Sequence, residues 1–245
     1  MRTALRLLAA LPLLAVAPAG ASNGKTPPGN PCAKGNGNPC NGNNGNDGAQ
    51  GNARKERVVE GIAGPINVAV PFFTGRGVYV TQIGSANVAA VTQTAGRARA
   101  DVAQYGDSNN ARIDQRGAGA SYAGVTQSGT GHRVGVVQDG SGLNTLFVDQ
   151  RGAGNTAQAA QASIGAIYNG AVMSQSGTGN SMSLTQGGEG NRALLTQDGA
   201  RNAMTAAQYG SGNRLEWTQQ GNGLSDLGIT QTSGQALSIH QTGGR

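Results

Sequence analysis

The stretch VYVTQIGSANVAAVTQTAGRARADVAQYGDSNNARIDQ, residues 78–115, decides the fold. It contains Gln at 82, 93, 104 and 115, each eleven residues from the next. Before each Gln the apolar residues alternate. Val78 and Val80 lead to Gln82, Ala89 and Val91 to Gln93, Ala100 and Val102 to Gln104, and Ala111 and Ile113 to Gln115. A period of two is the signature of a strand with one buried face. The Gln has the parity of the apolar residues and so lies on that face.

The pattern runs on to the C-terminus through Gln127, Gln138, Gln150, Gln161, Gln175, Gln186, Gln197, Gln208, Gln219, Gln231 and Gln241. The steps are 11 or 12, with one of 14 and one of 10. In all fifteen units the residues two and four before the Gln are apolar, from Val78 and Val80 to Leu237 and Ile239. A turn follows each strand. Gly84, Gly106, Gly117, Gly129, Gly140, Gly152, Gly177, Gly188, Gly199 and Gly210 sit two residues after a Gln. Asn87, Asn109, Asn155, Asn180, Asn191, Asn202 and Asn213 sit five after one. Gly and Asn are the residues that accept positive φ, so these positions read as turn residues. Counting in the same way puts His132, Leu224, Ala98, Ala120, Leu143, Ala166 and Ala236 at Asn positions.

A strand of about five residues and a turn, repeated, give a coil of about 22 residues with two strands. The expected fold is all-β: a β-solenoid of about 15 short strands in two facing sheets, with equivalent strands stacked about 4.8 Å apart. Alternate units fall on opposite sheets. Gln82, Gln104, Gln127, Gln150, Gln175, Gln197, Gln219 and Gln241 then form one column, and the other seven form the second. A lone buried amide is costly because its polar atoms lose water. A column removes that cost, since each amide donates to one neighbour and accepts from the other. It also pins the register, because a slip by one residue turns every apolar residue outward.

The composition agrees with this reading. Gly supplies 42 of 245 residues and aromatics only 4%, which excludes a large aromatic core. The 8 Pro and the lack of a three-residue Gly period exclude collagen. An apolar share of 37% is too high for a charged, solvated coil.

Upstream of the array the chain changes character three times. Residues 1–21 read as a secretory signal peptide, with Arg2 and Arg6, the apolar run Leu7–Ala17 and small residues up to Ala21. Residues 22–57 hold 17 Asn or Gly among 36 positions and read as a flexible linker. In an oxidising compartment Cys32 and Cys40, the only cysteines, can close a nine-residue loop; pairing between chains and free thiols are the other readings. Residues 58–77 are more apolar and read as an irregular lead-in or cap segment, with a strand where Ile66, Val68 and Val70 alternate.

The array at 78–245 carries ten basic and nine acidic groups, so it offers no concentrated surface for nucleic acid. No segment after the leader is apolar enough to span a membrane. Catalysis is not expected: His132 and His240 are the only histidines, and their repeat positions read as turn and surface. No catalytic, cofactor or metal-ligating set emerges, and the Gly-Gly-x-Gly-x-Asp repeat of calcium β-rolls is missing.

The unit Gln82-x-Gly84-x-x-Asn87-x-Ala89-x-x-x-Gln93 resembles the curlin repeat of bacterial curli fibres. Gln104 to Gln115, Gln150 to Gln161 and Gln186 to Gln197 resemble it equally, and the likeness covers residues 78–245. The resemblance implies a functional amyloid secreted through the periplasm and an outer-membrane channel. It implies a homopolymer, with a nucleator or major subunit as partner, in a fibre on the bacterial cell surface. It also makes the matching Gln and Asn the residues that promote assembly. This array is longer than the familiar five-repeat subunit, which leaves the choice between major subunit and nucleator open.

Growth is expected at strand edges, where backbone groups are unpaired. The uncharged strand Ala236–Gln241 reads as an open edge for a second copy. Asp101, Arg112, Asp114, Asp149 and Glu216, at outward positions, read as restraints on lateral association or as ordinary surface charge. A monomeric solenoid that binds an ordered surface, polysaccharide or ice, is the competing reading. It rests on the Thr before the Gln at 81, 92, 126, 185, 196, 218 and 230.

Overall fold

The computed structural model describes residues 56–243. The leader, the linker up to residue 55, and Cys32 with Cys40 lie outside the described residues. Strand β1 is Arg57–Gly61. The array follows as β2 Gly77–Ile83, β3 Val88–Gln93, β4 Arg97–Tyr105, β5 Asn110–Gln115, β6 Ala120–Thr130, β7 Arg133–Gly140 and β8 Asn144–Ala153. It continues as β9 Thr156–Ser163, β10 Asn169–Thr178, β11 Ser181–Glu189, β12 Arg192–Ala200, β13 Ala203–Ser211, β14 Arg214–Asn222, β15 Ile229–Thr232 and β16 Ala236–Gly243.

The fifteen array strands form the expected solenoid. Even-numbered strands stack in one sheet and odd-numbered strands in the other. Neighbours within the array are parallel and in register, Gln on Gln: Gln82 opposite Gln104, Gln150 opposite Gln175, Gln208 opposite Gln231. Many strands exceed the expected five residues because pairing continues through the turn glycines, as in the eleven-residue β6.

The core is the single layer between the sheets. Ala100, Val102, Ala111 and Ile113 fill it near the N-terminal end, and Met173, Met182, Leu195, Leu215 and Trp217 fill it further on. The turn glycines are needed for two reasons at once. Gly152 has φ +103°, and a Cβ there would run into the carbonyl oxygen of Gly177 in the next coil. Gly221 and Gly243 continue this series to the end of the array.

Two expectations are overturned upstream and at the C-terminus. The strand expected around Ile66–Val70 is not formed; the lead-in is extended at Arg57–Gly61 and irregular after it. The edge at Ala236–Gln241 is not open, because β1 pairs antiparallel with β16, Val58 opposite Gln241 and Glu60 opposite Ile239. From β1 the chain runs back along the outside of the larger sheet. The Tyr168 hydroxyl donates to the Val68 carbonyl (3.0 Å). The Phe73 ring lies 6.5 Å from that of Tyr122, shortly before β2 begins.

Candidate functional site

The candidate site is the pair of amide columns and the two ends at which they stop. In the larger sheet Gln82 Nε2 donates to Gln104 Oε1 (2.6 Å), Gln104 to Gln127 (2.8 Å) and Gln127 to Gln150 (2.9 Å). Gln150 donates to Gln175, Gln175 to Gln197, Gln197 to Gln219 (each 2.8 Å), and Gln219 to Gln241 (2.9 Å). In the smaller sheet the chain of donors runs Gln93, Gln115, Gln138, Gln161, Gln186, Gln208, Gln231, at 2.7–2.9 Å. All fifteen sequence-assigned Gln are therefore joined in two columns.

The second amide proton has a use that sequence reasoning missed. Gln138 Nε2 also donates to the Tyr122 carbonyl (2.8 Å), and Gln219 to the Ala203 carbonyl (2.8 Å). From Gln93 to Gln231 each amide reaches in this way the first residues of the preceding strand, on the opposite sheet, and Gln241 reaches the Ser225 carbonyl ahead of β15. Each Gln thus bonds along its own sheet and across the core. Between the ends of the columns, from Gln104 to Gln219, both N–H donors and the carbonyl are satisfied in a dry interior.

The seven Asn lie between strands, as expected of turn residues, but not because they accept positive φ. None of them has positive φ; the residue before takes it, as Ala86, Ser108 and Arg201 do. From Asn109 onward the Asn side chains are buried, and they stack. The backbone N–H of Asn180 donates to Asn155 Oδ1 (2.9 Å), and that of Asn202 to Asn180 Oδ1 (3.0 Å). Asn180 Nδ2 donates in turn to the Gly199 carbonyl (3.0 Å). Asn87, Asn109, Asn155, Asn180 and Asn202 form one such column, and Asn169, Asn191 and Asn213 a second.

Five assignments in these columns are corrected. Ser121, Asn144, Asn169 and Gln235 hold the places given to Ala120, Leu143, Ala166 and Ala236, as strand register shows. Turn length varies, so counting forward from a Gln drifts. Counting back six residues from the next Gln finds them. The fifth concerns His132, read as a turn residue; it is fully buried within the first Asn column. Its Nδ1 accepts from the Asn155 N–H (3.3 Å), as an Asn Oδ1 would. Its Nε2 lies 3.2 Å from the Ser128 carbonyl, as an Asn Nδ2 would. That pattern requires a neutral ring with the proton on Nε2.

Burial lowers the His132 pKa below its ordinary 6.5 against the opposing pull of the backbone carbonyls. An unfolded chain then binds this proton at a higher pH than the folded one. His132 therefore costs no stability above about pH 6.5, and stability falls as pH drops through 6.5 toward the folded value. His132→Asn should flatten the melting temperature between pH 7 and pH 5 relative to the parent, by about a few degrees at the acid end. Parallel pH dependence in both chains would mean that the ring is not held neutral.

The outward charges are paired locally. Asp101 pairs with Arg99 (2.9 Å), Asp114 with Arg116 just past β5 (3.3 Å) and Asp149 with Arg151 (2.8 Å), each two residues apart. Partly exposed pairs of this kind contribute little to stability. Arg112 and Glu216 also stand on the outer faces.

The ends of the solenoid differ. At the N-terminal end the inward-facing Val78 and Val80 are about half exposed, and among the described residues nothing pairs with the outer edges of β2 and β3. At the C-terminal end Ile239, which occupies the same column as Val80, is 1% exposed against 46%. The columns have polarity too. Every amide donates toward the C-terminus, so Gln82 and Gln93 present carbonyl oxygens at one end while Gln231 and Gln241 bring amide donors to the other. No family model, curated protein or solved structure matches the chain.

Proposed function

We propose that this chain is a secreted structural subunit that self-assembles into extracellular curli-like amyloid fibres, serving a biofilm matrix, adhesion and cell aggregation. One observation carries the reading: two unbroken amide columns with acceptors at one end and donors at the other. Joining the C-terminal coil of one copy to the N-terminal coil of the next would place Gln82 on Gln241 and extend the larger sheet and its eight-Gln column in register. A head-to-tail contact of this kind does not close on itself and makes filaments. The leader-like residues 1–21 and the likeness to curlin repeats support export through the periplasm and an outer-membrane channel to the cell surface. A nucleator or major subunit with the same repeat would be the natural partner.

The surface-binding alternative is weakened by the outward columns. One reads Thr81, Ala103, Thr126, Asp149, Ser174, Thr196, Thr218, His240. The other reads Thr92, Asp114, Val137, Ala160, Thr185, Ala207, Thr230. Neither is the regular array that an ordered lattice requires.

The test is incubation of the purified chain, followed by thioflavin fluorescence and fibre diffraction. Fibres with a meridional reflection near 4.7 Å are expected. Gln82→Ala, which removes an end acceptor, should slow assembly several-fold, and Gln158→Ala, outside both columns, should not. A chain that stays monomeric for days would overturn the reading.

A further inference from the structure

The exposed apolar residues at the N-terminal coil have no counterpart at the C-terminal coil, and β1 is the reason. This strand covers the outer edge of β16 over five residues. Glu56, just before it, shares the inward parity of Val58 and Glu60. The Glu56 carboxylate accepts from Gln241 Nε2, and its second oxygen accepts from the Ser225 hydroxyl (2.8 Å). Along the rest of the column, the atom receiving such a proton is the carbonyl oxygen of the next Gln. The carboxylate therefore imitates the coil that would follow.

We propose that β1 with Glu56 is a built-in competitor for the surface on which a second copy docks. It holds the place that β2 and Gln82 of that copy would take. The inference rests on the self-assembly reading. Every head-to-tail junction needs one C-terminal coil, so every junction requires β1 to leave once. Three features suit β1 to a reversible cap. It is antiparallel where the array is parallel, so it cannot be continued in register. Glu56 and Glu60 put charged residues at inward positions of an edge strand, a known guard against edge pairing. All five of its residues are exposed, so little apolar surface holds it down. Residues 62–76 tether it to β2, with only Ala63 and Val68 among their buried apolar residues. A released cap strand therefore stays attached to the molecule and can compete again.

A disulfide lock tests this. Val59 and His240 are register partners, at a spacing between antiparallel strands that suits a disulfide. The chain carrying Val59→Cys and His240→Cys, with Cys32→Ser and Cys40→Ser, should cross-link within one molecule on oxidation. The locked chain should fail to elongate fibre seeds, and reduction should restore growth. Glu56→Lys, which removes the acceptor without a lock, should shorten the lag several-fold. Equal growth of locked and reduced chains, or failure to cross-link, would overturn the cap while leaving self-assembly in place. A chain that cross-links but stays monomeric when reduced, and also as Glu56→Lys, would overturn the self-assembly reading and the cap with it.

Discussion

Replacing Gln150 by Ala should lower the unfolding free energy by about 3–5 kcal/mol, a large part of the 5–15 kcal/mol that holds a typical domain. The cost comes from what is left behind. Gln127 Nε2 loses its acceptor at 2.9 Å, Gln175 Oε1 loses its donor at 2.8 Å, and the Arg133 carbonyl loses a donor at 3.2 Å. Each stranded group in a dry core costs about 1–3 kcal/mol. Gln158→Ala is the control, since Gln158 points outward from β9 and lies outside both columns. Its effect should stay within about 0.5 kcal/mol. Urea denaturation of the monomer measures both. Gln150→Glu should cost at least as much as Ala, because it donates nothing to Gln175 and adds a buried charge. Similar midpoints for Gln150→Ala and Gln158→Ala would show that the column does not stabilise the fold.

The second large effect is expected at the turns. Gly152→Ala should cost about 3 kcal/mol or more and Gly154→Ala about 1 kcal/mol. Both glycines have positive φ, +103° and +63°. Only Gly152 faces a neighbour: its Cβ would meet the Gly177 carbonyl, whereas nothing lies within 4 Å of a Cβ on Gly154. The difference between the two variants therefore isolates the contact between coils from backbone preference. In a stacked array such a clash separates two coils, so hydrogen exchange should rise in β8 and β10 together. A local rise confined to the turn would mean that the coil spacing adapts.

Sheet membership, both Gln columns and the inward face were legible in the chain because strand parity is local and the repeat is frequent. The Asn columns were only half legible. Asn144 and Asn169 escaped forward counting because a turn can gain a residue while the strand after it keeps its parity. The longest step, from Gln161 to Gln175, is absorbed by residues 164–168, which lie outside the strands. His132 was misread for a related reason. Its exposure depends on what stacks above and below it, and its ring nitrogens copy the two polar atoms of Asn only within that stack.

The sequence by itself determined the all-β solenoid, the two sheets and which Gln belongs to which column, since a period of two and a period of eleven are properties of neighbouring residues. Only the tertiary structure decided how the array ends. The partners Glu56 and Gln241 are 185 residues apart, and no periodicity links them. Their contact exists because the last strand of a stack leaves backbone groups and an amide donor unpaired, and the preceding segment is long enough to reach back and satisfy them.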